Sequence, residues 1–263
     1  MLDQETRSGI ARDILAVFET RKPLGLLTKT HPGITVEDSY RIQEMCIAQR
    51  LSEGRSIRGY KVGLTSKAMQ ELTGSTEPDF SAMTDDLYLP EDTPLQMSDF
   101  ILPMIEIEIA FVMKDALKGP GILPVDVIRA TDFVLPAIEI VDFRVGPGPG
   151  MTVADTIADF AACGAAVLGA NPRRLDQIDI RRIHGELIQN GEVKEAGVSS
   201  AVLGNPVTSV AWLANKLGEF GVAFEPGQVI LTGSFVRTVP VQPGDEIIAR
   251  FDNGLGDVIA SFV

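Results

Sequence analysis

A chain of 263 residues, 45% of them hydrophobic, can bury a sizeable core and build one large domain or two modest ones. Its formal net charge of -13 argues against nucleic acid or an anionic membrane as a partner, since either would dock on a basic surface. An anionic substrate would need positive charge gathered locally, from a metal ion or a placed lysine.

Helices open the chain. Ile10, Ile14, Val17 and Phe18 recur at helical spacing and predict a helix from Gln4 to Thr20. Thr35 and Asp38 have the spacing of a capping box. Val36, Tyr40, Ile47 and Leu51 then form one stripe of a second helix that Gly54 ends, after a connection at His31-Pro32-Gly33. Beyond Arg58 the pattern changes to strands and turns. Tyr60 to Leu64 predicts a strand, Ser66 to Leu72 a short helix stopped by Gly74, and Pro124 to Ala130 a helix with proline in its first turn. Gly146-Pro147-Gly148-Pro149-Gly150 is a stiff loop without the Lys-Ser/Thr of a phosphate cradle, which removes a nucleotide reading. Asn190-Gly191 marks a two-residue hairpin, and Asn205-Pro206 caps a helix through Leu217, ended by Gly221. Three strands close the chain, at 228–232, 246–251 and 257–262, with turns at Pro226-Gly227, Pro243-Gly244 and Asn253-Gly254. The expected architecture is a helical region over residues 1–58 laid on a mostly antiparallel β domain over 59–263.

Cys46 and Cys163 sit in no CxxC or CxxH setting, which predicts two free buried thiols in a reducing compartment. The start MLDQETRSGI lacks the basic residues and apolar run of a signal peptide, and no apolar run reaches the length of a membrane span. A soluble cytoplasmic protein is expected.

The chemistry gathers on Ile105-Glu106-Ile107-Glu108-Ile109-Ala110-Phe111. With a period of two, the isoleucines and Phe111 face one side, and Glu106 and Glu108 stand together on the other, roughly 6.5–7 Å apart along the strand. A half-exposed strand wetted by two glutamates accounts for this stretch alone. A second apolar strand, Phe133 to Asp142, carries a lone Glu139 in its middle. If the strands are neighbours, three carboxylates complete an oxygen site for a hard divalent ion, with positions left for water or substrate.

Other candidates have plainer readings beside them. Lys61, in Gly59-Tyr60-Lys61-Val62-Gly63-Leu64, either snorkels to solvent or supplies charge where the glycines let backbones approach. Asp79 after Glu77-Pro78 reads as a loop aspartate, Asp85-Asp86 as a solvated pair, and Ser234 as a turn residue or a ligand for a carboxylate. His31 and His184 have no serine or cysteine partner in a nucleophile setting.

Taken in order, Gly59 to Gln70, Glu77-Pro78-Asp79-Phe80, Ile105-Glu106-Ile107-Glu108, Pro136-Ala137-Ile138-Glu139 and Leu231-Thr232-Gly233-Ser234-Phe235 resemble the hydratase/decarboxylase family of the fumarylacetoacetase-like superfamily. That family includes hydratases of 2-hydroxypenta-2,4-dienoate and 2-oxohept-4-ene-1,7-dioate and decarboxylases of 4-oxalocrotonate. The resemblance runs from about Thr35 to Val263. It implies an α+β fold, a mixed β-roll with an N-terminal helical layer. It implies that Glu106, Glu108 and Glu139 hold Mg²⁺ or Mn²⁺, that Lys61 lies beside a bound 2-oxo acid, and that Leu64, Phe160 and Ser234 contact the substrate. Lys67-Ala68-Met69-Gln70, Asp79 and Gly233-Ser234-Phe235 resemble the hydratase branch. Asp79 is then the acid/base of a metal-dependent hydro-lyase that adds water to a 2-hydroxy-2,4-dienoate in the meta-cleavage catabolism of aromatic compounds. Asp159-Phe160-Ala161 departs from the Asp-Asn-Ala of many relatives and bears on the contacts at the substrate's distal end. The implied protein is a homo-oligomer, associated with the downstream aldolase. The alternatives are decarboxylation of a 2-oxo-3-enedioate on the same metal, and a catalytically silent ligand-binding member of the fold. A carbon–carbon hydrolase would need a His–Glu pair, for which the sequence offers only His31 with Glu37.

Overall fold

The computed structural model describes residues 1–91, 93–146 and 148–263, with the side chains of residues 68 and 72 left out. Pro147 of the stiff loop and the side chain of Ala68 in the Lys67–Gln70 motif therefore lie outside the described residues. Helix α1 (Gln4–Thr20) starts where the Asp3 side chain accepts from the Thr6 N–H, and it buries Ile10, Ile14 and Val17. A single turn, α2 (Leu27–Thr30), precedes α3 (Val36–Ser52), which carries the expected capping box between Thr35 and Asp38.

The packed face of α3 differs from the predicted stripe. Tyr40 and Ile47 are buried, but Val36 and Leu51 are 41% and 40% exposed. Polar residues take their place: Ser39 Oγ donates to the Ala154 carbonyl at 2.7 Å, and Gln43 Nε2 donates to the Ile157 and Phe80 carbonyls at 2.7 and 3.1 Å. A buried polar side chain that satisfies main-chain acceptors belongs inside, and hydrophobic spacing cannot show it.

The remaining elements follow in order as β1 (Ile57–Gly63), α4 (Lys67–Thr73), β2 (Asp79–Thr84), β3 (Tyr88–Leu89), β4 (Met104–Met113), α5 (Pro124–Ala130), β5 (Thr131–Val141), α6 (Val153–Ala158), β6 (Cys163–Leu168), β7 (His184–Gln189), β8 (Glu192–Val198), α7 (Pro206–Glu219), β9 (Val229–Leu231), β10 (Val239–Pro240), β11 (Glu246–Phe251) and β12 (Gly256–Ser261). An eight-stranded sheet runs β2-β1-β9-β4-β5-β6-β3 with β10 on β4, and a four-stranded sheet runs β12-β11-β7-β8. Pairing is antiparallel except for β1 with β9 and β3 with β6.

Short or fully buried elements escaped the sequence. Strand β2 was expected as loop around Asp79, yet all its residues are buried, so it shows no polar/apolar alternation to read. Strand β6 is made largely of small residues, and β3 and β10 have two residues each. Asp85 and Asp86 are not simply solvated: Asp86 Oδ2 accepts from buried Arg50 at 2.6 Å, and Asp85 accepts from Ser56.

The core sits between the sheets and under α7. Ile105, Ile107, Ile109 and Phe111 are wholly buried. Their burial on one face of β4 sends Glu106 and Glu108 to the other.

Candidate active site

Strands β4 and β5 pair in a register that sets Glu106 directly opposite Glu139, with Glu108 two residues along β4. Cross-strand partners share a face, so the three carboxylates converge, each offering an oxygen within 4.8 Å of the others. Glu108 and Glu139 have no exposed surface, while Glu106 is half-buried at the open side. Burial, and then the Glu139 carboxylate, push the Glu106 pKa up to about 8. Burial and Glu139 likewise push Glu108 well above its ordinary value.

Lys61 does not snorkel to solvent. Its side chain is buried, with Nζ 3.1 Å from Glu139 Oε1 and donating to the Ala161 carbonyl at 2.8 Å. Burial alone would lower its pKa, but the Glu139 and Asp79 carboxylates outweigh that and hold the ammonium above its usual value. Asp79 opens β2 opposite Gly63 of β1, fully enclosed, with Oδ2 accepting from Thr156 Oγ1 at 3.1 Å. Burial raises its pKa, with Lys61 working against the rise. Gly63 is required here: a Cβ on it would stand 2.2 Å from Asp79 Oδ1 and 3.3 Å from Lys61 Nζ. Gly233 closes the site on another side. Its N–H donates to Glu108 Oε2 at 2.7 Å, at φ +103 and with Thr65 filling the space a side chain would need.

The other expected contacts are placed differently. Leu64 holds a left-handed φ of 54, an unusual position for a leucine, and its carbonyl accepts from Gln70 Nε2 at 2.8 Å. Ser234 Oγ lies 3.0 Å from the Val236 carbonyl and 3.3 Å from the Ile107 carbonyl and accepts from the Val236 N–H at 3.2 Å, so its hydroxyl is occupied in a turn. The Phe160 ring packs edge-on to Phe18 of α1 at 5.7 Å and lies 5.5 Å from the Arg144 guanidinium, engaged with the helical layer.

What the residue 160 segment brings to the site is its backbone. Phe160, Ala161 and Ala162 all have left-handed φ, and the turn they make aims the Ala161 carbonyl at Lys61. A network absent from the sequence reading holds that turn. Buried Arg144 donates Nε to Asp159 Oδ1 and Nη2 to the Asp142 and Asp159 carbonyls, while Asp159 Oδ2 accepts from the Arg144 and Val145 N–H groups. Thr156 also went unread, although Thr152 and Asp155 repeat the Thr35–Asp38 spacing and do form a capping box at the start of α6.

The residues fit a hard divalent cation. Glu108 Oε1 and both oxygens of Glu139 are buried without a hydrogen-bond partner, and the ion pair of Lys61 with Glu139 is the one made by any of the three glutamates among the described residues. An all-oxygen donor set with that deficit of positive charge suits Mg²⁺ or Mn²⁺ rather than a softer metal.

Residues 66–263 match the family model described as fumarylacetoacetate (FAA) hydrolase C-terminal. The chain is 39% identical to 2-oxo-hept-4-ene-1,7-dioate hydratase of Escherichia coli, with 100% of each covered. It is 34% identical to 2-keto-4-pentenoate hydratase of Paraburkholderia xenovorans strain LB400, over 98% of this chain and 95% of that one. Among solved structures, 4-oxalocrotonate decarboxylase from Pseudomonas putida G7, complexed with magnesium and adipate, superposes with a TM-score of 0.96 at 35% identity, covering 100% of this chain and 99% of the other.

Proposed function

The chain belongs to the fumarylacetoacetate hydrolase C-terminal family, and on that footing we propose that it is a metal-dependent hydratase. It adds water to a 2-hydroxy-2,4-dienoate to give a 4-hydroxy-2-oxo acid in the breakdown of aromatic compounds. The hydratase names of full-length relatives support the reading. The single observation that carries it is Asp79, an enclosed acid with one oxygen bonded and the other free beside Lys61 and the glutamates. Decarboxylation needs an electron sink at C2 but no acid placed to handle water, so a built acid favours hydration.

Glu106, Glu108 and Glu139 would hold the ion, Mg²⁺ or Mn²⁺. When bound, it supplies Lewis-acid stabilisation of negative charge on the substrate oxygens. Lys61 pairs with the substrate carboxylate or C2 oxygen, adding positive charge that an acidic chain otherwise lacks. The main chain at Leu64 lines the substrate, and residue 160 meets it through its turn rather than its ring. Asp79, whose ionisation burial disfavours, delivers its proton to C5 as the C2 hydroxyl loses its own to solvent, leaving a 2-oxo-3-enoate. The resulting carboxylate takes a proton from water as the water oxygen bonds to C4, and returns it to C3. Solvent then restores the acid.

The test is a spectrophotometric panel of 2-hydroxy-2,4-dienoates, with and without EDTA, with product identification. EDTA-sensitive formation of a C4-hydroxylated 2-oxo acid is expected. Carbon dioxide released from a 2-oxo-3-enedioate would establish the decarboxylase instead, and no turnover at all would leave a ligand-binding protein. Asp79→Asn is expected to lower kcat by about 10²- to 10⁴-fold with little change in KM. The same reading assigns residues 1–58 as a helical layer and 59–263 as the catalytic domain of a cytoplasmic homo-oligomer. Sedimentation, alone and with the aldolase that would consume the product, tests the assembly.

A further inference from the structure

We propose that Thr156 is a positioning residue for Asp79: by binding Oδ2 it leaves Oδ1 as the oxygen that exchanges protons with the substrate and water. The inference rests on the hydratase reading and deepens it. Thr156 is 7% exposed on α6, and its Oγ1 lies 3.1 Å from Asp79 Oδ2. The same hydroxyl lies 3.1 Å from the Val153 carbonyl, the back-bond of a helical threonine, which holds it in one rotamer. One hydroxyl hydrogen therefore has two acceptors, and Asp79 Oδ2 takes it: in the acid form Oδ2 is the carbonyl oxygen and Oδ1 carries the proton, and once Oδ1 gives that proton up the bond becomes charge-assisted and stronger.

Asp79 Oδ1 is the complement. It is buried, has no hydrogen-bond partner, and fills the space that the missing Gly63 side chain leaves beside Lys61 Nζ. A carboxyl with both oxygens free could rotate about its last torsion and present either one. A carboxyl with Oδ2 tied presents only Oδ1.

The two residues are locked together from behind. The Gln43 amide donates at once to the Phe80 and Ile157 carbonyls, the residues that follow Asp79 and Thr156. Helix α6 is fixed further by Ser39 Oγ on the Ala154 carbonyl and by the Asp155 carboxylate, which accepts from the Thr28 N–H and hydroxyl at 3.0 and 2.9 Å. Neither partner is free to drift, so the hydroxyl itself sets the carboxyl orientation.

Thr156→Val removes the hydroxyl and keeps the shape, whereas Thr156→Ser keeps the hydroxyl. Thr156→Val is expected to lower kcat by about 10- to 100-fold with KM nearly unchanged, the loss of one charge-assisted bond in the reacting state. Thr156→Ser should retain most of the wild-type kcat. Equal losses in the two variants, or full activity in Thr156→Val, would overturn the proposal. A crystal structure of Thr156→Val without substrate should show the Asp79 carboxyl rotated from its wild-type orientation, and an unmoved carboxyl also overturns it. Because that readout needs no turnover, it stands apart from a wild-type enzyme that fails to hydrate any dienoate, which would sink the hydratase reading itself.

Discussion

Two clusters of buried charge meet at the turn of residues 159–162, and they are bonded in opposite ways. Around Arg144 and Asp159 the guanidinium Nε and Nη2 and both carboxylate oxygens are answered, by each other and by main-chain carbonyls and N–H groups, with the guanidinium lying by the Phe18 and Phe160 rings. Around Glu108, Glu139 and Asp79 the carboxylates are only partly answered: Glu108 Oε2 and Asp79 Oδ2 each accept one hydrogen bond, and Glu139 has only its ion pair with Lys61. Of the five buried side-chain polar atoms without a hydrogen-bond partner among the described residues, four belong to these three residues, and of those four only Glu139 Oε1 has an ion pair, with Lys61. Folded proteins leave few such atoms, so their concentration at one place marks a site shaped for something other than its own stability. The first cluster holds the turn and the second uses it, through the Ala161 carbonyl on Lys61.

The contrast makes removal of one charge act with opposite sign in the two places. Arg144→Met strands the Asp159 carboxylate in the interior and is expected to cost about 3–5 kcal/mol of stability, measured by urea denaturation. Glu108→Gln, measured in EDTA, removes one of several repelling carboxylates while the amide oxygen can still accept from the Gly233 N–H. Its stability should stay level or rise, while metal-dependent turnover disappears. Destabilisation by both substitutions would erase the distinction between the clusters.

Adding the ion probes the same difference without touching the Arg144 cluster. At a free Mg²⁺ concentration 100 times its dissociation constant, linkage raises the stability of the wild type by about 2.7 kcal/mol. Thermal melts of Glu108→Gln should show no such gain. A gain of equal size in Glu108→Gln would place the ion elsewhere.

Gly63 tests how tightly the unsatisfied cluster is built. Its backbone is extended, which alanine also adopts, so Gly63→Ala should fold. Its Cβ, however, would fall 2.2 Å from Asp79 Oδ1, and the carboxyl end must swing away. A displaced acid is expected to reduce kcat by up to about 10²-fold. A crystal structure with Asp79 unmoved, or turnover at the wild-type rate, would show the site looser than this.

The sequence made the unsatisfied cluster far more legible than the satisfied one. Glutamates in an isoleucine strand violate local preference, and a violation can be seen in one dimension. Helices α1 and α3, and the capping box of α3, were equally open, because capping and helical spacing are local. Arg144 and Asp159 lie fifteen residues apart with no periodicity between them, and the turn they hold depends on three left-handed residues of which none is glycine. Nothing local announces that conformation; it is imposed by tertiary bonds. Phe160 shows the same limit: its place in a motif names it as a substrate contact but says nothing of its ring, whose packing against Phe18 is a tertiary contact.

Ser234 is the smallest and sharpest case, since its two roles predict different observables. As a turn residue it joins its hydroxyl to the Ile107 and Val236 carbonyls and to the Val236 N–H, so Ser234→Ala should cost about 1 kcal/mol of stability and leave KM as it was. As a ligand for the substrate carboxylate it would have to give up those bonds on binding. Ser234→Ala would then raise KM and cost the free protein no more than the turn role already does. The geometry favours the first outcome, because a hydroxyl already bonded to the main chain gains little by exchanging one acceptor for another. A KM that rises several-fold alongside the same loss of about 1 kcal/mol would instead show that substrate pulls Ser234 out of its turn, and that the satisfied and unsatisfied parts of the molecule exchange members when the site fills.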